Sequence, residues 1–170
     1  MCIRDRLNSN IKCISLKNED ADYFCTSYSI NSFGLAGTLA WDSETLDFES
    51  NLIGSFNLEN LILAASIAIE LNISAQSIAK GIENCTKIDG RLHLVENQKN
   101  QMIFLDYAHS PDAYFRTLKA LEENFNRPLK VLFGAGGGRD KSKRPKMAEV
   151  VEKYSIECYL APDNPRFEDI

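Results

Sequence analysis

No stretch of this 170-residue sequence is apolar enough for long enough to cross a bilayer. The strongest run, Leu61 to Ile69, falls well short of the ~20 residues a membrane helix needs, so no membrane insertion is expected. The chain also lacks a basic excess. It carries 19 Lys and Arg against 24 Asp and Glu, a net charge of −5, which excludes a general nucleic-acid binder because phosphate contacts need Lys and Arg. Histidine is scarce, with only His93 and His109. No His-based metal cluster is expected from so sparse a set. The five cysteines, at 2, 13, 25, 85 and 158, are odd in number and contain no Cys-x-x-Cys. That disfavours both a disulfide frame and a zinc site and fits free thiols in a reducing cytoplasm. No charged-then-apolar leader opens the chain. Residues 1–10 show no periodicity, and the natural chain is expected to begin earlier.

What is present is an ordinary globular composition, 44% hydrophobic and 25% charged, with a change of pattern partway along. From Ile11 to Ile53 the signals are β-like. Ile11–Leu16 alternates at period two. Asp22–Ile30, Phe33–Trp41 and Thr45–Ile53 are further strand candidates, punctuated by Gly34, Gly37 and Asp42-Ser43. A small meander is expected, with no catalytic constellation in it.

After Gly54, Asn57 is a candidate N-cap for a helix over Leu58–Leu71. That helix reads apolar on nearly every face, which predicts burial. Asn60 would then be a buried amide requiring a partner, either a neighbouring loop or the edge of a ligand. Ser74 caps a second helix, Ala75–Cys85. A Gly hinge at Lys87–Arg91 precedes a hairpin of Leu92–Glu96 with Gln101–Leu105, so a domain boundary is placed near Arg91.

From there strands and helices alternate. A strand runs to Asp106, a helix over Asp112–Phe125, a strand over Lys130–Phe133, a helix over Pro145–Tyr154 and a strand over Ile156–Ala161. This spacing predicts βαβ units, an α/β fold and a parallel sheet. Tyr114, Leu118, Leu121 and Phe125 fall at helical spacing and are expected in the core.

Each of the three strands runs into a polar cluster: Asp106-Tyr107-Ala108-His109, the Gly-rich stretch through Arg139 to Lys146, and Asp163-Asn164-Pro165-Arg166. In a parallel sheet all three face one edge, where ligands bind in open α/β folds. Residues 139–146 hold five positive charges and one negative, either a solvated loop or an anion site. The stretch is not a phosphate-binding P-loop, because Asp140 stands where Gly should precede Lys141-Ser142. It is not a dinucleotide loop either, because the glycine spacing fails. The glycines are expected to let the backbone approach a ligand.

Taken in order, these motifs carry a family resemblance. Gly54-x-Phe56-Asn57-x-x-Asn60, Gly90-Arg91, Asp106-Tyr107-Ala108-His109-Ser110-Pro111-Asp112, Arg139-Asp140-Lys141-x-Lys143-Arg144-Pro145 and Asp163-Asn164-Pro165-Arg166 together resemble the Mur ligases, over about residues 20–170. The resemblance implies that 1–90 is the end of a central ATPase domain and 91–170 the start of a Rossmann-like C-terminal domain. It implies nucleotide contacts for Asn60 (adenine), Arg91 (phosphates), Asp106 and His109. Arg139, Asp163, Asn164, Pro165 and Arg166 would hold the incoming amino acid.

The Asp-Asn-Pro-Arg form is similar to that of members adding meso-diaminopimelate, whose second carboxylate an Arg fork suits. Gly138, where the family often has Asp, and Ala161-Pro162, where small hydroxyl residues are common, depart from the pattern. The implied reaction is ATP-driven amide formation on UDP-N-acetylmuramoyl-L-alanyl-D-glutamate. A carboxylate takes the γ-phosphoryl group to give an acyl phosphate, which the amine then attacks, with ATP and Mg²⁺ required. No P-loop and no catalytic residue is expected in this stretch, which by itself should be inactive. Related ligases of the lysine-adding, folylpolyglutamate or cyanophycin type, and a non-catalytic nucleotide-binding module, are the alternatives.

Overall fold

The computed structural model describes residues 11–99 and 101–169. Cys2 and the expectation for residues 1–10 lie outside them. The chain divides into two compact units, one ending at Thr86 and the other beginning at Lys87.

In the first unit, β1 (Ile14–Ser15), β2 (Tyr23–Asn31), β3 (Gly34–Trp41) and β4 (Glu44–Ser50) form one sheet in that order. The last three strands make the expected antiparallel meander. The Asn31↔Gly34 and Trp41↔Glu44 pairs close two-residue turns, and Asp42 takes the positive φ that such a turn requires. β1 departs from the meander. It is only two residues long and pairs in parallel with β2. Period-two alternation in β4 buries Leu46, Phe48 and Ser50 on one face, against which α1 (Ser55–Glu70) and α2 (Ala75–Asn84) pack through Leu58, Leu61, Ile62, Ala65 and Ile78. Each fully buried aliphatic side chain contributes about 1.5–3 kcal/mol. The α2 cap is as expected: the Ser74 hydroxyl accepts the Ser77 N–H.

Two expectations for α1 fail. Asn57 is not its N-cap. Gly54 is, at φ 95°, with no side-chain cap. That left-handed backbone, open to glycine, starts the helix earlier than the polar residue suggested and carries Asn57 into the first turn. Asn57 is fully buried there, its Nδ2 donating to the Ile53 carbonyl at 2.8 Å. Nor is α1 covered all round: Leu63 and Ile67 are exposed, as is Leu71 at its C-cap. The buried amide is therefore Asn57, whose Oδ1 has no partner among the described residues, and Asn60 lies exposed.

In the second unit, β5 (His93–Val95) and β6 (Ile103–Leu105) form an antiparallel hairpin. The Asn97 side chain ties its loop by accepting the Lys99 and Gln101 N–H groups. Then α3 (Pro111–Phe125), β7 (Leu129–Phe133), α4 (Lys143–Tyr154) and β8 (Ser155–Leu160) alternate, and β7 pairs in parallel with β8. The Ser110 hydroxyl caps α3 by accepting the Ala113 N–H, and Pro111 occupies the first turn. Tyr114, Leu118, Met147 and Val151 form the core between the two helices, with Val131 and Phe133 packed against them. The Tyr114 ring meets Phe133 edge-on, and its hydroxyl donates to the Gly134 carbonyl.

The expected single parallel sheet is not continuous. β6 joins the ladder of β5, not that of β7. A cavity of about 140 Å³, lined by Phe104, Asp106, Thr117, Val131 and Leu132, lies where β6–β7 bonds would run. Tyr114, Leu118 and Leu121 of α3 line the same cavity. Among the described residues no helix is long and apolar enough to cross a membrane.

Candidate functional site

The ends of β7 and β8 and the turn after β6 meet at one cavity of about 530 Å³. His109 reaches it from the turn before α3, Arg139 and Asp140 from the glycine loop, and Asp163, Asn164 and Arg166 from the turn after β8. The structure thus gathers five of the nine residues singled out in the sequence: His109, Arg139, Asp163, Asn164 and Arg166.

The other four stand elsewhere. Asn60 is an exposed residue of the first unit, and Arg91 is exposed at the start of the second. Pro165 lines a neighbouring, mostly apolar cavity of about 550 Å³ with Phe133, Met147 and Leu160. Asp106 faces inward. Its Oδ2 accepts the Leu92 N–H at 2.9 Å, and its Oδ1 accepts the Ala108 N–H at 2.8 Å and the Thr117 hydroxyl at 3.3 Å. Leu92 is buried with φ 42°, a conformation costly for an L-residue, and the Asp106 carboxylate holds it there. Three of its acceptor positions serve the fold.

The glycine loop is shaped by another loop. The Gly137 N–H donates to the Asn164 carbonyl at 2.8 Å, and a Cβ at Gly137 would lie 1.9 Å from the Pro165 carbonyl oxygen. A Cβ at Gly134 would lie 2.4 Å from that of Ala161. At 134 and 137 the glycines admit the backbone that follows β8, and Gly134 and Gly136 also line the cavity. The Asn164 side chain then accepts the Arg166 N–H, and Arg166 sits at φ 54°.

Charges around the cavity divide into committed and uncommitted groups. Asp140 accepts both the hydroxyl and the N–H of Ser142, which lower its pKa in that order. Arg144 donates to Glu168 at 2.7 Å and to the Gly136 carbonyl at 3.4 Å. Among the described residues, the Arg139 and Arg166 guanidiniums and the Asp163 carboxylate have no hydrogen-bonded or ionic partner, and all three residues are exposed. His109 Nδ1 lies 2.9 Å from the Tyr107 carbonyl. A carbonyl only accepts, so Nδ1 carries the proton in that contact and leaves Nε2 available.

Glu168 is the residue that sequence reasoning missed. Its carboxylate accepts the Gly138 N–H at 2.9 Å and pairs with Arg144 and, at 3.7 Å, Lys141. The Gly138 bond first, then Arg144, hold its pKa below the usual carboxylate range. The signal available was an acidic residue two places after Arg166, beside a stretch of +4 with no other counter-charge assigned.

Residues 90–170 match the family described as Mur ligase, glutamate ligase domain. The chain is 40% identical over 136 residues to the UDP-N-acetylmuramoyl-L-alanyl-D-glutamate–2,6-diaminopimelate ligase of Geobacter sulfurreducens, covering 80% of this chain and 27% of that protein. It is 33% identical over 165 residues to the enzyme of the same name from Pseudomonas putida, covering 97% of this chain and 33% of that one. A solved structure of a UDP-N-acetylmuramoyl-L-alanyl-D-glutamate–2,6-diaminopimelate ligase superposes with a TM-score of 0.62 at 31% identity, over 98% of this chain and 35% of that one. The chain thus spans about a third of the length of the relatives it matches. On the matched C-terminal unit, the 32–40% identity to relatives bearing one name and the shared fold, the chain belongs to the Mur ligase family.

Proposed function

We propose that this chain is part of an ATP-dependent ligase that adds meso-diaminopimelate to UDP-N-acetylmuramoyl-L-alanyl-D-glutamate in peptidoglycan synthesis, and that its second unit holds the amino acid. Residues 1–90 are then the end of the central ATPase domain and 91–170 the start of the C-terminal one. The observation that carries the proposal is the cavity where uncommitted Arg139, Arg166 and Asp163 stand together. Meso-diaminopimelate presents two carboxylates and two ammonium groups. Two guanidinium forks and one carboxylate match that pattern, and a fork gives a carboxylate two charge-assisted bonds. Arg139, Asp163, Asn164 and Arg166 are the assigned contacts. Pro165 restricts the turn and lies outside the cavity.

For the nucleotide, the exposed Asn60 amide, the exposed Arg91 guanidinium and the available Nε2 of His109 are the groups free to make contacts. Asp106 contributes by holding Leu92, with what remains of its acceptor capacity open to a ligand hydroxyl. Magnesium does not fit the residues at hand: among the described residues no three His, Cys, Asp or Glu are grouped to hold a metal ion. Its ligands are assigned elsewhere in the full-length protein, which acts in the cytoplasm.

The test is amino-acid incorporation by the full-length protein, with meso-diaminopimelate and with lysine. Wild type should use the former. Lysine lacks the second carboxylate and would leave a guanidinium unpaired. Arg166→Ala should lower kcat/KM for meso-diaminopimelate by about ten- to a hundredfold, the ~1.5–3 kcal/mol of a charge-assisted bond, and narrow the preference over lysine. An unchanged ratio between the two amino acids would remove Arg166 from selectivity. Equal use of both by wild type would refute the substrate assignment.

A further inference from the structure

We propose that Glu168 is a positioning residue that holds the two arginine-bearing loops in register, and so sets the affinity of the cavity for the amino acid without touching it. The inference rests on the function proposed above. Glu168 does not line the cavity that holds Arg139 and Arg166; it lines the neighbouring one. It acts from outside the binding site, through three separate attachments.

Its Oε1 accepts the N–H of Gly138, the residue before Arg139, which sits at φ 61°. Its Oε2 accepts from Arg144 at 2.7 Å, and Arg144 also reaches the Gly136 carbonyl. Its own N–H donates to the Pro165 carbonyl at 3.0 Å, closing the turn in which Arg166 takes φ 54°. One carboxylate therefore joins the glycine loop, the first turn of α4 and the turn after β8. A non-glycine residue persists at positive φ only where its surroundings over-determine it, and the Glu168 turn supplies that at Arg166. The only other backbone bond between these loops is Gly137 N–H to Asn164, among the described residues. Without Glu168 the Arg144 guanidinium is left facing Gly136 alone, and the Gly138 N–H loses its acceptor.

The consequence is specific. Displacing Arg139 and Arg166 by a fraction of an ångström weakens a two-fork site for the amino acid. The nucleotide contacts assigned above do not pass through Glu168. In the full-length protein, Glu168→Ala should raise the KM for meso-diaminopimelate by about ten- to a hundredfold, the scale of a misplaced contact, with the KM for ATP within about twofold. Glu168→Gln keeps an oxygen for the Gly138 N–H but loses the charge that pairs Arg144 and Lys141, so its KM should fall between those of wild type and Glu168→Ala.

A wild-type KM for the amino acid in both variants would overturn the inference, as would KM values for ATP and the amino acid rising together. If Glu168→Ala is recovered unfolded, Glu168→Gln decides by the same two readings. Wild-type protein that incorporates no amino acid refutes the proposed function and the inference with it. A working wild type with unaffected variants refutes the inference alone.

Discussion

The N–H of Gly137 donates to the carbonyl of Asn164 at 2.8 Å, joining the loop after β7 to the turn after β8. The approach is close enough that the hydrogen on Gly137 cannot be replaced by carbon without moving one backbone.

Gly137→Ala should therefore separate the loops. A Cβ 1.9 Å from the Pro165 oxygen has no flexible side chain to displace. Destabilisation of about 1–3 kcal/mol is expected, as for other overpacked sites; on the function proposed above, the full-length variant should also show a raised KM for the amino acid. Gly81→Ala is the contrast. It lies inside α2 with nothing within 4 Å of the added carbon, and should stabilise by about 0.5–1 kcal/mol. Denaturant unfolding of both variants checks the pair, and a Gly137→Ala protein as stable as wild type would refute the close approach.

Asp106→Ala removes the acceptor of the Leu92 and Ala108 N–H groups and leaves Leu92 at φ 42° without support. The expected loss is about 1–3 kcal/mol, the cost of stranding partly buried donors. Amide hydrogen exchange at Leu92 and Ala108 should quicken in the variant. Unchanged protection there would mean that the carboxylate does not hold the turn.

Asn57 and Asn60 should separate by substitution. Asn57→Ala loses the Nδ2 bond to Ile53 in a fully buried position and should cost about 1–3 kcal/mol. Asn60→Ala, at an exposed position, should stay within about 0.5 kcal/mol of wild type while weakening ATP use, if its amide meets the nucleotide. Thermal unfolding and ATP dependence, measured side by side, distinguish the two.

Cys25 should resist alkylation while Cys158 reacts. Burial raises the Cys25 thiol from 9.0 to about 11, whereas Cys158 is exposed. The thiolate is the nucleophile, so iodoacetamide near pH 8 should label Cys158 and spare Cys25 until the protein unfolds. The sign of the linkage follows. The folded state holds this proton more tightly than the unfolded one, so its contribution is intact below pH 9 and is lost as pH rises through about 11. Labelling of native Cys25 at the rate of Cys158 would show that the first-unit core is open.

Much of this protein was legible from local pattern. Strand-forming stretches punctuated by Gly34, Gly37 and Asp42-Ser43 located β2 to β4, and Ser74 marked the start of α2, because turns and helix caps are decided within a few residues. The alternation after Arg91 predicted that His109, Arg139, Asp163, Asn164 and Arg166 would share an edge, and all five line one cavity. What depended on residues far apart was not legible. A positive φ at Gly54 exchanged the environments of Asn57 and Asn60. The inward turn of Asp106 answers to Leu92, 14 positions earlier. The pairing of β6 with β5 and not with β7 was likewise set by the assembled fold. The glycines after β7 make room for Ala161 and Pro165, and Glu168 reaches back 30 residues to Gly138. Periodicity and capping report the preferences of a segment. Which carboxylate meets which N–H is decided only when the loops after separate strands are brought together, and that proximity is a property of the tertiary fold.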